Sequence, residues 1–69
     1  MNINENIKKA RRAAGITQQE LADMLGVYQK DISRWEHGTR TPNLEAFAGI
    51  CKALKISADI LLEIRTEEE

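Results

Sequence analysis

The stretch that decides the fold runs from residue 16 to residue 37 and reads ITQQELADMLGVYQKDISRWEH. Within it, Thr17-Gln18-Gln19-Glu20 has the form of a capping box: the Thr17 hydroxyl accepts from the Glu20 amide, and the Glu20 carboxylate reaches back to the Thr17 amide. Ile16 and Leu21 stand where a hydrophobic staple fixes the angle at which the chain enters a helix. Leu21, Ala22 and Leu25 then face inward along a short segment that Gly26 ends, because glycine tolerates the left-handed conformation that follows a helix terminus. After Val27, Tyr28 opens a third helix with Ile32 and Trp35 inward. So short a connection forces the two helices to cross steeply.

Helical spacing extends in both directions from this unit. Ile3, Ile7, Ala10 and Ala14 define one face of a first helix, beginning near Asn2 or Asn4 and stopped at Gly15. Gly38 closes the third helix, Thr39-Arg40-Thr41-Pro42 is a loop, and Thr41 or Asn43 caps a fourth helix. Leu44, Phe47, Ala48, Cys51 and Leu54 form the expected apolar stripe of that helix, with Gly49 on its exposed side and Cys51 a small buried hydrophobe. Ser57 caps a fifth segment, with Ile56 and Leu61 as a second staple. No stretch alternates with period two for long enough to make a strand. The expected fold is all-α: a compact five-helix domain over residues 1–66, followed by an acidic tail at 67–69.

The chain's 69 residues carry ten Lys+Arg against eleven Asp+Glu, a net charge of −1. The average hides a gradient: residues 1–40 hold seven basic and five acidic residues, and residues 41–69 hold three against six, including Glu67, Glu68 and Glu69. A partner meets the local field, so the acidic total does not exclude a basic face. A single cysteine rules out an internal disulfide framework. No apolar run reaches the roughly 18–20 residues of a membrane span. The opening MNINENIKK lacks the apolar stretch of a secretory signal, so a cytoplasmic location is expected and no membrane partner.

Catalysis finds no support in the sequence. There is no Gly-rich phosphate loop, no Cys/His pair and no Ser/His/Asp set, so a non-enzyme without cofactor or small-molecule substrate is expected. His37 is the only histidine and has no second ligand beside it, which argues against a metal site. What remains is the outer side of the third helix, where Gln29, Lys30, Ser33, Arg34 and His37 project. Side-chain amides and guanidinium groups are the chemistry that reads base edges, glutamine pairing with adenine and arginine or lysine with guanine.

The blocks Thr17-Gln18-x-Glu20-Leu21-Ala22, Leu25-Gly26-Val27, Ile32-Ser33-Arg34-Trp35-Glu36, Gly38-x-Arg40-x-Pro42 and Leu44-Glu45 occur at characteristic offsets. In these the chain resembles the lambda-repressor-like helix-turn-helix family, the Cro, phage-repressor and xenobiotic-response-element type, over roughly residues 3–62. The resemblance implies a sequence-specific transcriptional regulator of double-stranded DNA, a repressor by expectation, with its third helix in the major groove. It assigns base contacts to Gln29, Lys30 and Arg34, and backbone contacts to Gln18, Tyr28, His37, Thr39 and Arg40. It also implies a partly buried ion pair between Arg11 and Glu36 that orients the third helix. Tyr28 stands where the family commonly has Ser or Thr, and Asp31 where a small polar residue is common. Asp31 is either an acceptor for cytosine N4 or a helix acid that replaces the missing cap.

Family members commonly act as homodimers on near-palindromic sites. Ile60, Leu61, Leu62 and Ile64 place four apolar residues in five positions, and Leu61, Leu62 and Ile64 are the expected dimer surface. The alternative is a protein-interaction module on the same fold, an antitoxin or adaptor, in which DNA binding is secondary.

Overall fold

The computed structural model describes residues 3–62 in the order α1 (Ile3–Ala13), α2 (Gln18–Leu25), α3 (Gln29–His37), α4 (Leu44–Leu54) and α5 (Ala58–Leu62). Asn2 and Ile64 lie outside the described residues, as does the whole of the acidic tail. The described residues contain no strand, and the architecture is all-α.

The local signals act as their chemistry requires. The Thr17 hydroxyl accepts from the Glu20 amide at 3.0 Å, and the Glu20 carboxylate accepts from the Thr17 amide at 2.8 Å. Gly26 at φ +74 closes α2 and Gly38 at φ +90 closes α3, both in the left-handed region. Asn43 caps α4 by accepting from the Ala46 amide at 2.7 Å. Lys55 ends α4 at φ +55, the one positive-φ residue other than glycine among the described residues.

α2 packs on both α3 and α4, while α1 packs on α3, α4 and α5. Ile7, Leu21, Ala22, Ile32, Trp35, Ile50 and Leu61 form the buried core where these elements meet. All five helices contribute to it, so α3 is held from behind by α1 and α2 while its other side stays in solvent.

Several sequence expectations need correction. Ala14 lies beyond the end of α1 and is exposed. In α4 the inward residue is Ile50, fully buried, whereas Leu44 is 83 % exposed and Ala48 is also exposed. The stripe is therefore Phe47, Ile50, Cys51 and Leu54: the Asn43 cap puts Leu44 on the first helical residue, turned away from the body. Gly49 is half-buried rather than exposed, and a Cβ added there would stand 3.4 Å from Leu25 Cγ. Leu61, expected on a dimer surface, is 1 % exposed and part of the core. It is buried in the apolar cluster where α5 packs on α1 and α4, and the Asn6 side chain donates to the Leu61 carbonyl at 2.8 Å, tying α5 to α1. Ile60, its neighbour, is the exposed one at 55 %.

Candidate functional site

α3 is a helix with two unlike sides. Ile32 and Trp35 are buried, together with the charged Glu36, while Gln29, Lys30, Arg34 and His37 are exposed. Tyr28, Thr39 and Arg40 flank these at the two ends of the helix and are exposed as well. The amides of Gly38, Thr39 and Arg40 all point to the Arg34 carbonyl, at 3.0, 3.0 and 3.3 Å. That winds the loop onto the helix end and keeps Thr39 and Arg40 next to the last turn of α3.

Behind this surface lies a polar network. Arg11 Nε donates to Glu36 Oε2 at 2.6 Å and Arg11 Nη2 to Glu36 Oε1 at 3.2 Å, a two-pronged pairing of planar groups. The remaining Arg11 nitrogen, Nη1, donates to the Ile16 carbonyl at 2.8 Å, so one guanidinium ties α1 to α3 and to the entry of α2. Both partners are almost fully buried. Burial opposes ionisation of Glu36, but hydrogen bonds from Arg11 and Gln18 and the charges of Arg11 and Lys8 outweigh it, holding the carboxyl below its ordinary value.

Gln18, expected on a phosphate, is engaged within the protein. Its Nε2 donates to Glu36 Oε1 at 2.9 Å, and its Oε1 accepts from Gln29 Nε2. The amide group still has a second N–H for an outside acceptor. A continuous chain of contacts therefore runs from Arg11 through Glu36 and Gln18 to Gln29 on the outer side of α3. The spacing of the two glutamines does not announce this link, which depends on α2 packing against α3.

Two further residues escaped the sequence reading. Asn4 Nδ2 donates to the Trp35 carbonyl at 2.7 Å in the last turn of α3, and its side chain lies 3.5 Å from where a Gly38 Cβ would be. Asn4, Ile7 and Arg11 share one face of α1 at helical spacing, so the signal was present: a polar residue on a face that must pack. Asn6 is the corresponding clasp for α5.

At the start of α3, Tyr28 makes no side-chain cap. The Tyr28 amide instead donates to Asp31 Oδ2 at 3.1 Å, so the helix-acid reading of Asp31 describes one of its two oxygens. The other, Oδ1, stands 3.8 Å from Arg34 Nη1, one turn on. Among the described residues no group of His, Cys, Asp and Glu is arranged to hold a metal ion, and no helix is long and apolar enough to cross a membrane. Burial pushes the Cys51 thiol above its ordinary value, so it sits in the packing as a neutral group.

Residues 7–61 match the helix-turn-helix family model. The chain is 35 % identical over 67 residues to the HTH-type transcriptional regulator YqaE of Bacillus subtilis, covering 97 % of this chain and 58 % of that protein. It is 37 % identical over 62 residues to the HTH-type transcriptional activator BcrR of Enterococcus faecalis, covering 90 % of this chain and 30 % of that protein. The P22 c2 repressor crystallised with a synthetic operator superposes at a TM-score of 0.82 with 36 % identity, covering 88 % of this chain and 92 % of that one. The chain thus spans between about a third and three-fifths of the length of these curated relatives.

Proposed function

The chain belongs to the helix-turn-helix family, with the lambda-repressor-like five-helix fold, and from that premise we propose that it is a sequence-specific double-stranded DNA-binding regulator of transcription that acts as a repressor. The observation that carries this reading is the division of α3. One side is fixed by Ile32, Trp35 and the Arg11–Glu36 pair, and the other offers Gln29, Lys30 and Arg34 to solvent. A helix held rigidly from behind delivers its side chains to a groove without reordering on contact, which spares affinity. Gln29, Lys30 and Arg34 read base edges in this proposal. Tyr28, His37, Thr39, Arg40 and the free N–H of Gln18 lie along the phosphates, beside the N-terminus of α2 with its favourable dipole. The site of action is the cytoplasm, and no reaction is catalysed.

The functional unit is a homodimer on a near-palindromic operator, with half-sites about 34–36 Å apart. Ile60, exposed, and Leu62, half-buried, carry the two-fold contact on the described part of α5. Light scattering at micromolar concentration that detects only monomer, with and without operator, would remove the dimer. The deciding experiment is selection of bound DNA from a random pool, followed by affinity measured across salt concentrations. Enrichment of one site is expected, with affinity falling roughly 0.9 log unit per log unit of salt for each phosphate contacted. In that assay Arg40→Ala should weaken binding to every sequence alike. No enrichment and no salt dependence would return the chain to the protein-interaction reading.

A further inference from the structure

We infer that Asp31 is a specificity-determining residue: by holding the Arg34 guanidinium, it suppresses binding to sequences that do not present a guanine at the Arg34 position. The inference rests on the DNA-binding reading above.

The outer side of α3 meets a polyanion, and an acid there is unexpected. The helix dipole favours a negative charge at this first-turn position, but the cap bond itself does not require one. Oδ2 accepts from the Tyr28 amide at 3.1 Å, a bond that a neutral side-chain oxygen makes as well. The second oxygen carries the information. Oδ1 lies 3.8 Å from Arg34 Nη1, and Glu36, the other acid of α3, is buried against Arg11. Asp31 is therefore the only carboxylate of α3 free to act on its outward cations, and Arg34 is the cation it faces.

A guanidinium has five N–H donors in one plane. Two of them suffice for guanine O6 and N7, leaving others for Asp31. The ion pair at 3.8 Å is thus compatible with the correct base. On other sequences Arg34 has only phosphate oxygens to meet, and a carboxylate beside it cancels the charge that attracts them. Both side chains are partly exposed, so the bias is several-fold rather than absolute. The same interaction is nearly neutral for specific binding and unfavourable for non-specific binding, which defines a specificity element.

Asp31→Asn tests this, since asparagine keeps the acceptor for the Tyr28 amide. Affinity is measured for the selected site and for a scrambled duplex of the same length, with melting temperature as the folding control. Scrambled-duplex affinity should rise about three- to tenfold, and its salt slope should steepen by roughly 0.9, one more phosphate neutralised by the released Arg34. Affinity for the selected site should rise by less, so the specificity ratio falls. In an Arg34→Ala background, Asp31→Asn should leave scrambled-duplex affinity where it was. An unchanged ratio in the single variant, equal loss of both affinities, or an effect that persists without Arg34 would each overturn the inference. A wild-type chain that binds no DNA at any salt concentration would instead bring down the DNA-binding reading, and this inference with it.

Discussion

The two sides of α3 use similar polar side chains for opposite ends. On the inner side, Arg11 and Glu36 are buried, paired by two hydrogen bonds, and joined by Gln18. On the outer side, Arg34 and Asp31 stand 3.8 Å apart, both partly in solvent. The inner pair is committed: removal of either partner leaves an unbalanced charge in the interior. The outer pair is replaceable, because water takes over from either partner. Burial, not residue type, decides which arginine positions the helix and which stays open to a partner. Gln29 links the two sides, since the bond it gives to Gln18 connects an outward residue to the inner network.

The strongest way to break this contrast is Glu36→Ala. It should destabilise the fold by about 3–5 kcal/mol, most of it from the uncompensated Arg11 charge. Chemical denaturation should detect the loss at neutral pH, and an Arg11→Met/Glu36→Leu double variant should recover much of it. The lowered pKa of Glu36 gives the pH sign. Its contribution is fully present above the carboxyl's unfolded value and is lost as pH falls through the lower folded value. The gap between wild type and Glu36→Gln should therefore narrow below the ordinary carboxylate range. A gap that stayed constant into acid would mean that the pair stabilises by packing alone.

Next in size is Ile50→Ala, which opens a cavity where α4 meets the core and should cost about 2–5 kcal/mol. Leu44→Ala on the same helix should stay within about 0.5 kcal/mol, since that side chain is exposed. If the two costs proved alike, the orientation of α4 would be wrong.

Those two residues also show how far the sequence was legible. From α2 into α3 each signal was local: a capping box, a left-handed glycine and an inward Ile-x-x-Trp pair fix their own neighbourhood. The inner network was legible only in part. The Arg11–Glu36 pair is implied by family resemblance, whereas Asn4 on Trp35 and Gln18 on Gln29 join residues of different helices, whose meeting depends on how those helices pack. α4 and α5 depart from the expected pattern where apolar residues outnumber the positions one face can bury. Leu44, Ala48 and Ile50 all have helical claims on the core, and the phase set by the Asn43 cap chooses among them. Likewise Ile60 and Leu61 are indistinguishable by composition, and only the packing of α5 on α1 and α4 puts Leu61 inward.

On the outer side the expected effects are smaller and appear in recognition rather than folding. Gln29→Ala, Lys30→Ala and Arg34→Ala should each cost about 1–3 kcal/mol of affinity on the selected site and relax preference at one base pair, with melting temperatures near wild type. Gln29→Ala should differ from the other two by a modest loss of stability, because it also takes a partner from Gln18. If all three left base preference untouched while affinity fell, the outer side would be a phosphate surface and the reading elements would lie elsewhere.

The smallest expected effect is the cleanest control on the separation of the two sides. Lys55 holds φ +55 at the end of α4, with its amide bonded to carbonyls of the preceding turn. A left-handed residue with a Cβ costs roughly 1–2 kcal/mol. Glycine removes that strain but loses more backbone entropy on folding, which offsets roughly 0.5–1 kcal/mol of the gain. Lys55→Gly should therefore stabilise the fold by about 0.5–1 kcal/mol in denaturant titration. The residue belongs to the α4–α5 turn and is outside the network that holds α3, so base preference and salt slope on the selected site should be unchanged. A shift in base preference would mean that the pose of α3 depends on the α4–α5 turn as well as on Asn4, Arg11 and Gln18. The inner network would then not be sufficient to fix α3.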